Sequence, residues 1–204
     1  MDALPSPLAR LRFAEAEARL PWLGPLLEAY ARVDASVREA LEAAGRPAAC
    51  APGCAACCSH PVMATACEVA GLAWYAAEMT DPARRPELAA ALGRGGAACP
   101  FLLDRGRCAA YALRPAACRR YVVLSRACAP GEDPTAGRPA DVLAPDRSAL
   151  REAHRLMLPY FGVLDPAEQD RALAQGLLLR RASPLQAMDW RRLAALLAGS
   201  RPRI

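Results

Sequence analysis

Nine cysteines are the chemical resource of this chain, and four of them fall within nine residues: Cys50-Ala-Pro-Gly-Cys54-Ala-Ala-Cys57-Cys58. Three more, Cys99, Cys108 and Cys118, follow with eight and nine residues between them. Thiolate is the strongest soft metal ligand a protein has. The two-residue gap between Cys54 and Cys57 lets both sulfurs turn toward one ion. In a helical turn, Cys54, Cys57 and Cys58 would share a face, while Pro52 and Gly53 keep Cys50 on a loop outside it. A tetrahedral site takes four ligands, and Cys50, Cys54, Cys57 and Cys58 could almost fill one. Adjacent thiolates such as Cys57 and Cys58 seldom serve one ion comfortably. Cys99, Cys108 and Cys118 are therefore expected to share that site or to build a second one. The competing reading, cysteine as a small apolar filler in an Ala-rich chain, does not account for the clustering.

Disulfides are the other reason to crowd thiols. They normally rescue secreted chains too short to bury a core, whereas 204 residues can bury one. Nine is also an odd count that cannot pair fully within one chain. The first ten residues show no basic stretch followed by an apolar run, so no secretory signal is visible. The longest apolar run, Val69 to Ala77, stops at Glu78 and is too short to span a bilayer. A reducing cytoplasm is the expectation, and there thiols stay free for metal or redox chemistry.

The net charge of +5 carries little information about partners. Every basic residue is Arg, Lys and Asn are missing, and Ile204 is the sole Ile, a skew that fits a GC-rich genome. The arginines are scattered and only 5% of residues are aromatic, which argues against a nucleic-acid surface built on stacking platforms. The expected partner is a metal ion, with a protein partner open. Arg105, Arg107, Arg114, Arg119 and Arg120 do surround the second cysteine group. Guanidinium groups there would offset thiolate charge and depress thiol pKa values, although for each one a solvated face is the simpler reading.

Three further residues have two readings. Cys67 would lie in the first turn of a helix, where the dipole favours thiolate, or it is a buried filler. Glu68 reads as a helix cap first and a ligand second. His60, two residues past Cys58, is a candidate extra ligand, whereas His154 reads as structural.

Outside the cysteines the chain reads as helical. Residues 8–20 mix Arg and Glu with Leu and Phe13 as an amphipathic helix would. Leu23, Leu26, Leu27, Tyr30, Val33, Val37 and Leu41 recur at three- and four-residue steps, and Gly45 and Pro47 end that helix. Thr65-Ala-Cys67-Glu68 has a capping-box pattern opening a helix through Met79. Asp81-Pro82, Asp165-Pro166 and Ser183-Pro184 each place a cap before Pro, and Glu168 and Gln186 at the third helical position predict helices at about 166–180 and 184–198. Another is expected over about 147–158. Phe101 to Tyr111 looks like two short extended arms around an Asp-Arg-Gly turn, and residues 129–146 form an irregular Pro- and Gly-rich loop. The expected fold is mostly α, a helical domain with an irregular cysteine-rich metal-binding core and at most a small β-hairpin. It divides into N-terminal helices (1–45), a cysteine-cluster domain (46–130) and a loop with C-terminal helices packing on it (131–204).

These residues resemble the YkgJ-type cysteine-cluster family, described as a zinc- or iron-chelating domain. The resemblance covers about residues 46–130. It rests on Cys50-x3-Cys54-x2-Cys57-Cys58, His60-Pro61-Val62, the Thr65-to-Glu68 helix start, Cys99-Pro-Phe-Leu102, Cys108-x2-Tyr111-x2-Arg114-Pro115-x2-Cys118-Arg119, and Cys128. It implies a metal cluster held by Cys50, Cys54, Cys57, Cys58, Cys99, Cys108 and Cys118. The departure is the three-residue gap before Cys54, where the best-known form of the family has two. Flagellin lysine methylases belong to the same broad grouping but are similar to this chain only in its cysteine part. The flanking helices show no S-adenosylmethionine motif.

The functional expectation is a cytoplasmic protein holding zinc or an iron–sulfur cluster, with a redox role open if the metal is iron. The alternatives are a structural zinc module for protein interaction and a protein-modifying enzyme related to the methylases. Seven thiolates exceed one structural zinc, which tilts the reading toward iron–sulfur or a dinuclear site.

Overall fold

The Leu23-to-Leu41 stripe becomes the spine of the fold. In the computed structural model, which describes residues 13–51, 53–129 and 131–199, a short helix α1 (Ala14–Arg19) leads into α2 (Leu23–Ala44). The start of the segment read at 8–20 and Pro52 lie outside the described residues. Leu23, Leu26, Tyr30, Val33 and Val37 of α2 are buried, and Gly45 ends the helix in the left-handed conformation at φ 58°. Each fully buried Leu of this stripe contributes about 1.5–3 kcal/mol. Asp34 is buried on the same face, which hydrophobic periodicity alone does not explain.

Helix α3 (Ala66–Met79) opens with the expected capping box: the Thr65 hydroxyl accepts from the Glu68 amide, and the Glu68 carboxylate accepts from the Thr65 amide. Gly71 lets α3 approach α2, since a methyl group there would lie 2.6 Å from a Leu26 methyl. After a 3-10 turn (Pro82–Arg84), helix α4 (Arg85–Arg94) follows. The expected hairpin is present as β2 (Leu102–Leu103) and β3 (Arg107–Cys108), which pair antiparallel with Leu102 opposite Cys108. Helix α5 (Ala116–Arg120) packs across α2. The Pro- and Gly-rich segment after it contains a single helical turn α6 (Pro134–Gly137) and a 3-10 turn (Pro139–Asp141). Helix α7 (Arg147–Met157), capped by Asp146, runs along α2.

The C-terminal part departs from expectation. Helix α8 (Pro166–Ala174) is capped by Asp165 as predicted, but Gly176 at φ 63° breaks the helix before α9 (Leu177–Arg181). The helix expected from Ser183 does not form there. Ser183–Pro184 is instead strand β4, paired antiparallel with β1 (Met63–Ala64), followed by a 3-10 turn and then α10 (Arg191–Leu197). The reason is tertiary. The Gln186 side-chain amide donates to the His60 carbonyl at 2.8 Å and accepts from the Val62 amide at 3.1 Å, so it serves the cysteine segment rather than its own helix.

One apolar core runs from Phe13 to Leu197 and includes Phe101, Leu103 and Leu113 from the cysteine segment. Phe101 meets Trp190 edge to face at 4.9 Å, and the Trp190 indole donates to the Leu185 carbonyl. A smaller cluster of Val37, Leu124 and Leu143 closes the other end of α2. The architecture is mostly helical with two small two-stranded antiparallel sheets among the described residues. One of the two, β1 with β4, joins segments far apart in sequence and lay beyond local pattern reading.

Candidate metal centre

Most of the cysteines sit on short, irregular pieces that long-range hydrogen bonds and core side chains such as Phe101, Leu103 and Leu113 hold together. Residues 47–50 run beside 122–125: Ala49 N donates to Val123 O at 2.7 Å, and Ser125 N to Pro47 O at 3.0 Å. The Val123 amide then donates to Cys50 Sγ at 3.4 Å. Cys54 follows in a turn closed by its own amide on the Ala51 carbonyl. Cys57 and Cys58 lie in a 3-10 turn (Ala56–Ser59) that begins after Cys54. The next cysteine arrives through the backbone, as the Cys99 amide donates to the Cys58 carbonyl at 2.7 Å. The hairpin then brings Cys108, and α5 carries Cys118.

Two glycines set how closely these pieces approach. Gly106, at φ 72° in the hairpin turn, faces the Gly53 carbonyl, and a Cβ on Gly106 would lie 2.3 Å from that oxygen. Neither backbone can yield easily. Gly106→Ala is therefore expected to push the hairpin away from the Cys50–Cys58 loop and to destabilise the protein by about 1–3 kcal/mol. Thermal unfolding together with metal content checks this, and an unchanged melting temperature would contradict it.

Cys57 is the hub of the thiols. Its side chain shares a hydrogen bond with Cys58, and its charge acts on Cys50, Cys99, Cys108 and Cys118. Cys118 also feels Cys99 and Cys108. The backbone bond from the Cys99 amide to the Cys58 carbonyl joins the second group to the first. Cys54 is exposed and neighbours Cys50, on the outer side of the hub. Among the described residues, no three His, Cys, Asp or Glu side chains are already gathered as a cage for an ion.

Burial disfavours the thiolate form at several of these cysteines. The hydrogen bond with Cys58 and then burial push Cys57 up, burial pushes Cys118, Cys108 and Cys50 up, and burial raises Cys99 to about 11. Arg114 opposes this rise at Cys50, Cys57, Cys108 and Cys118. Its guanidinium lies 4.0 Å over the Tyr111 ring. The other arginines flagged by the sequence have different tasks. Arg107 approaches Glu87 at 3.9 Å.

Arg119 is buried, 2% exposed, and donates to Asp34 Oδ2 at 2.6 Å, to the Arg114 carbonyl at 2.9 Å and to the Ala112 carbonyl. It also lies 4.1 Å over the Tyr30 ring. One side chain therefore fastens the Ala112–Cys118 segment to α2. Glu68 adds a second tie, since its Oε1 accepts from the Ala116 amide at 2.8 Å at the start of α5. With its other oxygen on Thr65, Glu68 is a cap and a brace.

Cys67 is 1% exposed, and burial pushes its thiol up to about 12, so it is a core filler. His60 places Nε2 3.3 Å from the Glu132 carbonyl. His154 is half-buried in α7, where burial pushes its imidazole pKa down.

Residues 49–134 match the family model described as "CxxCxxCC: Putative zinc- or iron-chelating domain". This segment is similar to the CxxCxxCC domain family. The YkgJ-type label fits that family. No curated protein and no solved structure matches the chain. The matched segment contains all nine cysteines and reaches past Cys128 to Glu132 and the first residue of α6. Sequence reasoning missed the Gly53–Gly106 contact, the Asp34 partner of Arg119 and the role of Gln186. Only the Arg-Pro-x2-Cys-Arg pattern hinted at Arg119, and it did not say to what.

Proposed function

We propose that the CxxCxxCC domain holds zinc or an iron–sulfur cluster through Cys50, Cys54, Cys57, Cys58, Cys99, Cys108 and Cys118, in a protein of the reducing cytoplasm. The observation that carries this reading is the meeting of the cysteine-bearing loops: the Cys99 amide lies on the Cys58 carbonyl, Gly106 of the hairpin turn faces the Gly53 carbonyl, and the Val123 amide lies on Cys50 Sγ. The donor set fits such a group: it is all thiol, and a soft divalent ion or an iron–sulfur cluster is the partner thiolates select. When bound, the metal group supplies a covalent cross-link and, if it contains iron, one-electron chemistry.

The chain's own residues prepare for it. Burial disfavours thiolate in the metal-free chain, so uptake must release protons and affinity rises with pH. Arg114 is the cation that offsets part of the thiolate charge. Arg119 and Glu68 keep Cys118 in place by tying α5 to α2 and α3. A surplus of thiols over one tetrahedral zinc favours a cluster or a dinuclear site.

A structural zinc module is the second reading, favoured by the single core that joins the domain to the flanking helices. The methylase-like reading finds less support. Two open surface pockets among the described residues, of about 510 and 180 Å³, are lined by α4 and α10 residues such as Ala89 and Leu197, and by α7 to α9 residues such as His154 and Leu173, with no cysteine in either. Among the described residues, no helix is long and apolar enough to cross a membrane.

The test is the absorption spectrum, metal content and acid-labile sulfide of protein purified without oxygen. Iron with sulfide and a brown colour would remove the structural-zinc reading. Colourless protein carrying stoichiometric zinc would remove the iron–sulfur one. Protein that binds neither metal on reconstitution would sink the proposal.

A further inference from the structure

The C-terminal helices enclose a place that no cysteine lines. Gly176, at φ 63°, ends α8 and turns the chain into α9, and the two short helices face one side of α7 across a cleft of about 180 Å³. The floor of this cleft is apolar: Leu158 and Leu178 are buried there, with Leu150 and Leu173 on the walls. Its rim is basic. Arg147, Arg151 and His154 stand four and three residues apart on α7, on one face of the helix, and all three line the cleft. The acids of this region are engaged elsewhere. Asp146 caps α7 and accepts from Ser148, Asp170 accepts from Arg155, Glu152 accepts from Arg32 at 3.2 Å, and Glu168 lies 4.0 Å from Arg171. Arg151 reaches Asp170 through its charge alone. Among the described residues, neither Arg147 nor Arg151 has a carboxylate within 4 Å. Arg120 on α5 adds to the imbalance. Its Nε is buried without a hydrogen-bond partner among the described residues, and burial and then the charge of Arg147 push its pKa down. Burial and then Arg120 lower His154, so its ring is neutral at pH 7 and serves as a hydrogen-bonding group.

We propose that this cleft binds a small amphipathic carboxylate, its head held by Arg147 and Arg151 and its short apolar chain lying against Leu150, Leu158 and Leu173. The site stands apart from the cysteines and does not depend on the metal-binding reading. Ligand pockets are mostly apolar, with a few polar groups that fix orientation, and the cleft has that composition. Two guanidinium groups one helical turn apart offer charge-assisted hydrogen bonds to a single carboxylate. An anion placed there also relieves the repulsion between Arg147 and Arg120. A bare inorganic anion would leave the apolar floor unused, and a neutral apolar ligand would leave the basic rim unpaired. The volume sets the size, since drug-sized ligands occupy about 300–1,000 Å³ and this cleft is smaller. A single short chain fits it better than a ring system.

The experiment is a titration of the full chain, as purified, with sodium hexanoate, followed by amide chemical shifts in nuclear magnetic resonance. Saturable shifts are expected in α7 and in residues 172–179. Acetate, which has the head alone, and 1-hexanol, which has the chain alone, should each bind at least about tenfold more weakly. Arg147 and Arg151 are exposed, so replacing them leaves the packing intact. The double variant Arg147→Gln, Arg151→Gln should weaken hexanoate about tenfold. Arg180→Gln with Arg181→Gln, exposed cations that do not line the cleft, should leave it unchanged. Acetate binding as tightly as hexanoate would reduce the rim to a solvated basic face, and 1-hexanol binding as tightly would reduce the cleft to an apolar hole. Either result overturns the proposal, as do wild-type affinity in the Arg147/Arg151 variant and shifts centred outside the cleft. Should hexanoate give no saturable shift while the protein sediments with phosphatidylglycerol vesicles, the face is a lipid-surface contact and the proposal is wrong. None of these outcomes bears on the metal content.

Discussion

Cys57→Ser is expected to abolish metal loading and to lower the melting temperature of the loaded protein to that of the chelated wild type. Cys57 lies beside Cys58 in the turn that the Cys99 amide joins through the Cys58 carbonyl, so its loss removes a ligand from the middle of the proposed centre. Binding free energy for a structural thiolate site is folding free energy, about 10–16 kcal/mol for zinc in small domains. Less than that is at stake here, because the segment also buries Phe101, Leu103 and Leu113 in the common core. The loosening should therefore be local. Hydrogen exchange should accelerate over residues 47–60 and 104–108, while α2, α3 and α7 stay helical by circular dichroism. Cys54→Ser should lose metal likewise, and chelation under reducing conditions should reproduce both variants. A Cys57→Ser protein with full metal content and an unchanged melting temperature would remove Cys57 from the ligand set and with it the centre of the proposal.

The second large effect belongs to a residue that binds no metal. Arg119→Met is expected to cost about 3–5 kcal/mol, since it leaves the Asp34 carboxylate buried without its partner. The two side chains are 2% and 5% exposed, so water cannot replace the lost interaction. The pH dependence has a definite sign. Burial pushes the Asp34 carboxyl above its usual range even with Arg119 pulling it down, so the folded chain holds that proton more tightly than the unfolded chain. Removing Arg119 raises it further. A group with a raised folded pKa contributes stability that is present at low pH and lost as pH rises through that pKa. The deficit of Arg119→Met should therefore be largest at neutral pH and shrink under mild acid. Urea unfolding at the two conditions reads this, and a deficit that grows on acidification would contradict it. Because Arg119 also holds the Arg114 and Ala112 carbonyls, the variant should loosen Cys118 as well. Adding Asp34→Leu to it should restore part of the stability but not the anchoring of Cys118.

Much of this molecule was legible before any coordinates. The clustered cysteines pointed to the segment that matches a zinc- or iron-chelating domain model. The Leu23-to-Val37 stripe, the Thr65–Glu68 box, the Asp165 cap, Gly45 and the Asp-Arg-Gly hairpin turn all appeared where their spacing put them. These signals share a physical basis: caps, turns and helix faces are interactions between residues three or four apart, so their partners are visible in the sequence itself. What the tertiary structure decided are contacts between residues far apart in the chain. Ser183 and Gln186 have the form of a helix start, yet the return of the chain to residues 60–64 gives them stronger partners than a local cap. The hydrogen-bonding partner of Asp34 is not in its own neighbourhood of sequence; Arg119, 85 residues on, reaches it in the core. Gly53 and Gly106 carry no pattern, because the need for glycine arises only where two backbones touch. Which thiols are neighbours is decided in the same way. Residue type and spacing name the chemistry, and the paths of the loops between α2, the hairpin and α5 choose which sulfurs can perform it together.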